Sequence, residues 1–189
     1  MIRLIYAHPY PQRSRANRVL LDSVASFPFV SVCSLYDRYP DFSLDVEGEQ
    51  QALLEADAVV WQHPLYWYSV PPLLKLWFDK VLAYGFAYGD GAAKLRGKRC
   101  QWVVTTGGDE AAFAEAGMHG HAFERFAPPI EQTARFCAMR WQRPLVVHGA
   151  RRIDDPTLLR ASQQYRARLT ALNDGADHSQ TSDPEPRHG

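Results

Sequence analysis

A hydroxyl, a guanidinium and a carboxamide crowd into Ser14-Arg15-Ala16-Asn17, just after His8-Pro9-Tyr10-Pro11 and at the expected start of a helix. The first N–H groups of a helix point outward and carry partial positive charge, so this end attracts an anion such as a phosphate monoester. Ser14 equally suits the simpler task of capping that helix. A second stretch, Gln62-His63-Pro64-Leu65-Tyr66-Trp67-Tyr68-Ser69-Val70-Pro71-Pro72, is stiffened by prolines and rich in rings. It can offer flat faces and main-chain N–H groups to a planar heterocycle, or merely close the end of a core. The third, Thr105-Thr106-Gly107-Gly108, has two glycines that permit close backbone approach and positive φ. An ordinary turn would use the same residues. Each stretch alone is ambiguous, but all three follow apolar, strand-like runs.

Those runs belong to a regular alternation. Ile2 to Ala7 reads as a strand, then a helix from Arg15 to Ser26 with Val19, Leu20 and Val24 on one face. Phe29 to Leu35 is a second strand, Tyr36 to Ser43 a loop, and Val46 to Ala56 a helix with Leu53 and Leu54 beside Gln50 and its charged residues outside. A third strand spans Ala58 to Gln62. Pro71 and Pro72 then open a helix from Leu73 to Ala83, as proline is tolerated where an N–H would have no partner. Its apolar face is wider than one core contact needs, so it is buried on two sides or meets another subunit. A glycine-rich loop (85–97) precedes a strand from Arg99 to Thr106, and a loop runs from Gly107 to about Arg125. Pro129 to Met139 is a helix, Pro144 to His148 a fifth strand, and Pro156 to Leu172 a charged final helix.

Alternation with nearly continuous apolar strands predicts an α/β doubly wound five-stranded parallel sheet with helices on both faces, in one domain over 1–173. Residues 174–189 are polar and aperiodic and read as a disordered tail. In such sheets ligands sit beyond the carboxyl ends of the strands, where the three stretches fall.

Composition removes several function classes. The 21 Lys and Arg balance the 21 Asp and Glu, so no global basic field exists to hold nucleic acid. Cys33, Cys100 and Cys137 are scattered without metal spacing and read as core residues of a reducing compartment. No apolar run approaches the roughly 18 residues of a membrane span, and Arg3 with His8-Pro9 ends the N-terminal run too early for a signal peptide. Neither GxGxxG nor GxxxxGK is present, which removes the usual dinucleotide fingerprint and the P-loop.

With these residues in view the chain resembles the flavodoxin-like NAD(P)H:quinone oxidoreductases, above all the ancillary flavoproteins of glutathione-regulated potassium-efflux (Kef) systems. The resemblance rests on HPYPQRSRAN, on SLYDRYPDF at 34–42, on WQHPLYWYSVPPLLKLWFDKVLAYGFAYGDG at 61–91 and on TTGG at 105–108. It implies a flavodoxin-like fold and a flavin cofactor, FMN rather than FAD, with NADH or NADPH as hydride donor. His8, Ser14, Arg15, Ala16 and Asn17 then fall in the phosphate and ribityl loop. Leu65, Tyr66, Trp67 and Tyr68, with Thr105, Thr106, Gly107 and Gly108, flank the isoalloxazine.

The resemblance further implies two-electron reduction of a quinone or other electrophile with ping-pong kinetics, a homodimer, and a potassium/proton antiporter partner at the cytoplasmic side of the bacterial inner membrane. Family quinone reductases carry a Tyr and a His after TTGG. The His falls at His119, whereas Phe113 stands at the Tyr position and has no hydroxyl. That leaves His119 with solvent as proton source, while His63 and His121 read as structural or exposed. A flavin-containing regulatory module without catalysis, or a general quinone reductase without a transporter partner, are the alternatives. A one-electron carrier is disfavoured, because such carriers are usually strongly acidic and this chain is neutral.

Overall fold

The computed structural model describes residues 1–90 and 93–175. Strands β1 (Ile2–Tyr6), β2 (Val30–Ser34), β3 (Ala58–Pro64), β4 (Arg99–Thr105) and β5 (Arg140–Val147) form one all-parallel sheet in the order β2-β1-β3-β4-β5. Alternate residues of a strand face opposite sides, and the sheet uses both. Ile2, Leu4 and Tyr6 pack under helices α1 (Arg15–Ala25) and α6 (Asp155–Asn173). Ile5, Val59, Trp61 and Trp102 pack under α3 (Val46–Glu55), α4 (Pro72–Val81) and α5 (Pro128–Phe136). The expected class and architecture are those observed. The expected tail falls mostly at 176–189, outside the described residues.

Several boundaries differ from expectation for identifiable reasons. A single helical turn, α2 (Leu35–Arg38), occupies what reads as loop. Strand β5 begins four residues before Pro144, because that proline sits at an irregularity in an edge strand, where the missing N–H does not break the ladder. The Arg143 carbonyl beside it accepts from Gln101 Nε2 at 3.0 Å. In α4 the wide apolar face is absorbed internally: Leu73, Leu74, Trp77, Phe78 and Val81 are all buried. The width of this helix therefore does not require a second subunit.

The largest departure lies in α3, whose charged residues do not all face outward. Glu49 is wholly buried while Leu54 is exposed. Its carboxylate accepts from Arg3 Nη2 at 3.0 and 3.1 Å, from Tyr39 Oη at 2.8 Å and from Trp77 Nε1 at 3.2 Å. Burial pushes its pKa up, but the Arg3 charge and these donors outweigh burial and leave it lowered, so the group stays ionised. Arg3 Nη1 is tied to Ser31, though its Nε lacks a partner. This cluster locks β1, β2, α3 and α4 together. The three cysteines are buried thiols, as expected.

Candidate functional site

Helix α1 begins at Ser14, whose Oγ accepts from the Asn17 N–H at 3.3 Å and from Asn17 Nδ2 at 3.0 Å. The capping alternative for Ser14 is thus realised. Asn17 also donates through Nδ2 to Thr105 Oγ1 at 2.8 Å, which ties the first stretch to the third. Its Oδ1 is buried without a hydrogen-bond partner. Arg15 turns away: its guanidinium donates to the Ile153 carbonyl at 2.7 Å and pairs with Asp155. Ala16 is buried, and His8 is held by the Tyr10 N–H donating to Nδ1 at 3.0 Å. Burial lowers the His8 pKa, so its imidazole is neutral near pH 7.

The second stretch carries the sharpest local signal. Tyr66 and Ser69 exchange both backbone hydrogen bonds, at 3.0 and 2.9 Å. Between them Trp67 and Tyr68 stand at φ 49° and 62°. Two consecutive positive φ values define a type I′ turn, a conformation that glycine and asparagine favour and aromatic residues resist. The Tyr66 and Ser69 N–H groups close the turn, so those of Trp67 and Tyr68 point outward. The Leu65 N–H donates to the Thr105 carbonyl at 2.7 Å, which seats this turn beside the TTGG loop.

In that loop neither Gly107 nor Gly108 uses the positive φ open to it. Gly108 is instead closely packed, since a Cβ there would lie 3.0 Å from His119 Nε2 and 3.1 Å from Ala112 Cβ. Thr106 Oγ1 donates to the Gly108 carbonyl at 2.7 Å and lies 3.0 Å from His148 Nδ1. A hydroxyl has one proton to give, so His148 carries its own on Nδ1 and donates it to Thr106. Burial lowers the His148 pKa against the pull of Glu110, Glu124 and Asp109, which keeps the ring neutral.

These turns wall a cleft of about 820 Å³ lined by Trp67, Tyr68, Gly107, Gly108, Phe113 and His119, with Arg151 and Arg152 at its edge. Phe113 lies 4.2 Å from the His119 ring, and Tyr68 stacks on Phe126 at 4.9 Å. The Tyr68 hydroxyl reaches His119 Nδ1 at 3.3 Å. A phenol hydroxyl thus stands beside His119 although Phe113 carries none. His63 is structural, as expected: Trp102 Nε1 donates to its Nε2 at 2.7 Å, and its Nδ1 donates to the Pro64 carbonyl at 2.9 Å. Burial pushes its pKa down to about 4. His148, Arg151 and Arg152 escaped the sequence reading; their place just beyond the fifth strand was the available signal.

The strand order β2-β1-β3-β4-β5, with a cleft over the strand carboxyl ends, is the flavodoxin-like topology. The pattern of the family described as flavodoxin-like fold matches residues 2–169, and the chain belongs to that family. It is 51% identical over 169 residues to the glutathione-regulated potassium-efflux system ancillary protein KefF of Klebsiella pneumoniae, covering 89% of this chain and 94% of the relative. Among solved structures, a chain described as a thermophilic tryptophan halogenase from Streptomycin violaceusniger superposes with TM-score 0.85 at 36% identity, covering 88% of this chain and 97% of that one. General stress protein 14 of Treponema denticola, in complex with FMN, superposes at 0.84 with 34% identity over 90% and 98% of the two chains. An NADPH-quinone reductase from P. pentosaceus does so at 0.81 with 30% identity over 89% and 96%.

Proposed function

We propose that this chain is an FMN-dependent NAD(P)H:quinone oxidoreductase that also serves a glutathione-gated potassium-efflux antiporter as its ancillary subunit. One observation carries the catalytic part: the outward N–H groups of Trp67 and Tyr68, the Gly107-Gly108 backbone and the Tyr68–His119 pair converge on one cleft. Bound flavin would supply two-electron redox chemistry between reduced nicotinamide and a quinone. The chain's residues fit such a group. The α1 terminus at Ser14 would hold the phosphate, Asn17 would offer its unused Oδ1 acceptor to the ribityl chain, and the backbone of residues 65–68 and 105–108 would hold the ring.

The rest is proton handling and positioning. Reducing a quinone to a hydroquinone consumes two electrons and two protons, and the Tyr68 hydroxyl and His119 Nδ1 sit where a proton can be held or passed. Phe113 packs on the His119 ring and Phe126 on the Tyr68 ring, which fixes the two rings. His148, through Thr106, holds the TTGG turn. Donor and acceptor using the same cleft in turn predicts ping-pong kinetics.

The antiporter role draws on the likeness to the ancillary protein across 94% of its length; in that role the chain would work at the cytoplasmic face of the inner membrane through its partner. No helix among the described residues is long and apolar enough to cross a membrane. A homodimer is supported by exposed Tyr84 and Phe136, which flank the half-buried Tyr88.

The test is direct. Purified protein should be yellow, retain FMN on gel filtration, bleach with NADH or NADPH, and reduce a quinone over many turnovers. A colourless preparation that cannot be reconstituted with FMN or FAD overturns the reading. A yellow protein that does not turn over leaves only the regulatory module.

A further inference from the structure

The cleft has a cationic edge that the flavin-binding residues do not explain. Arg151 and Arg152 line it from the loop after β5, and this loop is laced onto TTGG. The Gly149 N–H donates to the Gly108 carbonyl and the Ala150 N–H to the Thr106 carbonyl, both at 2.8 Å, and the Arg152 N–H closes the turn onto Gly149 at 2.8 Å. Their stems are therefore fixed relative to the ring-facing wall. The Arg151 Nε lies 3.7 Å from where a Gly107 Cβ would stand, so the guanidinium lies across the open face of that glycine.

Neither arginine has an ion-pair partner among the described residues. Asp109, the one carboxylate lining the cleft, has an oxygen committed to the Ala112 N–H at 2.9 Å. At the α1 terminus the cations are occupied elsewhere, with Arg15 on Ile153 and Asp155 and Arg13 over the Tyr10 ring. Two unpaired guanidiniums on an anchored loop, beside a cleft suited to a nucleotide, match the forked geometry that binds phosphate bidentately.

We infer that Arg151 and Arg152 form a phosphoryl subsite of the cleft, which takes a phosphate group of a bound nucleotide. The inference rests on the proposed function. Two sources present the same chemistry: the 5′-phosphate of the flavin and the phosphates of the nicotinamide donor. The donor is favoured, because the cleft that these arginines line is the one where a second ring must stack, whereas the flavin phosphate has the α1 terminus.

The experiment compares wild type, Arg151→Ala/Arg152→Ala, Arg151→Lys/Arg152→Lys, and Arg96→Ala as an exposed charge control outside the cleft. Binding of FMN and of riboflavin is measured by fluorescence titration, and binding of NADPH and NADH to the flavin-loaded protein by calorimetry or KM. Loss of one charge-assisted contact weakens binding by about tenfold or more. The double alanine variant should lose that factor for NADPH, with less loss for NADH if the 2′-phosphate is held and equal loss if the pyrophosphate is. Loss for FMN but not riboflavin would support the subsite and assign it to the flavin. Lysine should restore charge but only part of the affinity.

Binding of all four ligands unchanged in the double variant overturns the inference while a yellow, reducible protein leaves the functional reading intact. An equal loss with Arg96→Ala also overturns it, since the effect would then be net charge. A wild-type chain that takes up no flavin overturns both.

Discussion

The Glu49 cluster and the rim cleft are both polar breaks in an apolar fold, and they are built in opposite ways. Around Glu49 a fully buried carboxylate meets a guanidinium, a phenol and an indole at hydrogen-bond distance, so its lone pairs are matched within the chain. At the rim, Asn17 Oδ1 has no partner, Trp67 and Tyr68 are held at disfavoured φ, and Trp67 is 93% exposed. An internally satisfied polar cluster fixes elements in place. Polar groups and strain left unresolved beside a cleft persist when something outside the chain completes them.

The comparison can be broken most forcefully at Glu49. Glu49→Ala leaves Arg3 as an uncompensated buried charge, and stability to urea should fall by about 3–5 kcal/mol. A loss below about 1 kcal/mol would mean that the cluster is not the lock described. Acidification should come next. His63 is held neutral with its pKa near 4, so between about pH 6.5 and 4 the unfolded chain takes up the proton more readily than the folded one. Its contribution is complete above that window and is lost as pH falls through it, by about 3 kcal/mol. His8 and His148 act in the same direction. A melting-temperature series from pH 7.5 to 4 should show the decline, and His63→Gln should flatten it.

Smaller effects are expected at the rim, and they should appear in function. His119→Gln should lower quinone turnover by about tenfold to a hundredfold with FMN still bound, and Tyr68→Phe by about tenfold. In both variants the urea midpoint should stay near wild type. Turnover unchanged in both removes the pair from the chemistry. Smallest is Trp67→Gly, which relieves a positive φ at an exposed residue. Its stability should rise by no more than about 1 kcal/mol, a little of the strain being offset by glycine's unfolded-state freedom, while flavin affinity falls.

The fold was legible because its determinants are local: apolar runs of strand length, proline at helix starts, and three ligand-suited stretches after strands. The rim was legible in outline for the same reason. What escaped depends on contacts between distant segments. Glu49 looks like a solvated helix residue until Arg3, Tyr39 and Trp77 arrive from other elements. Trp67-Tyr68 contradicts the preferences of the turn it forms, and no local rule would choose it. The hydroxyl beside His119 comes from Tyr68, 51 residues away in the chain. His148, Arg151 and Arg152 join the site only because β5 lies beside β4.

Pro144 in β5 has a consequence for assembly. An outermost strand offers a template on which a second sheet can grow, and a residue without an N–H at a register slip spoils that template. Copies of this chain that associate are therefore hindered from extending the ladder past β5.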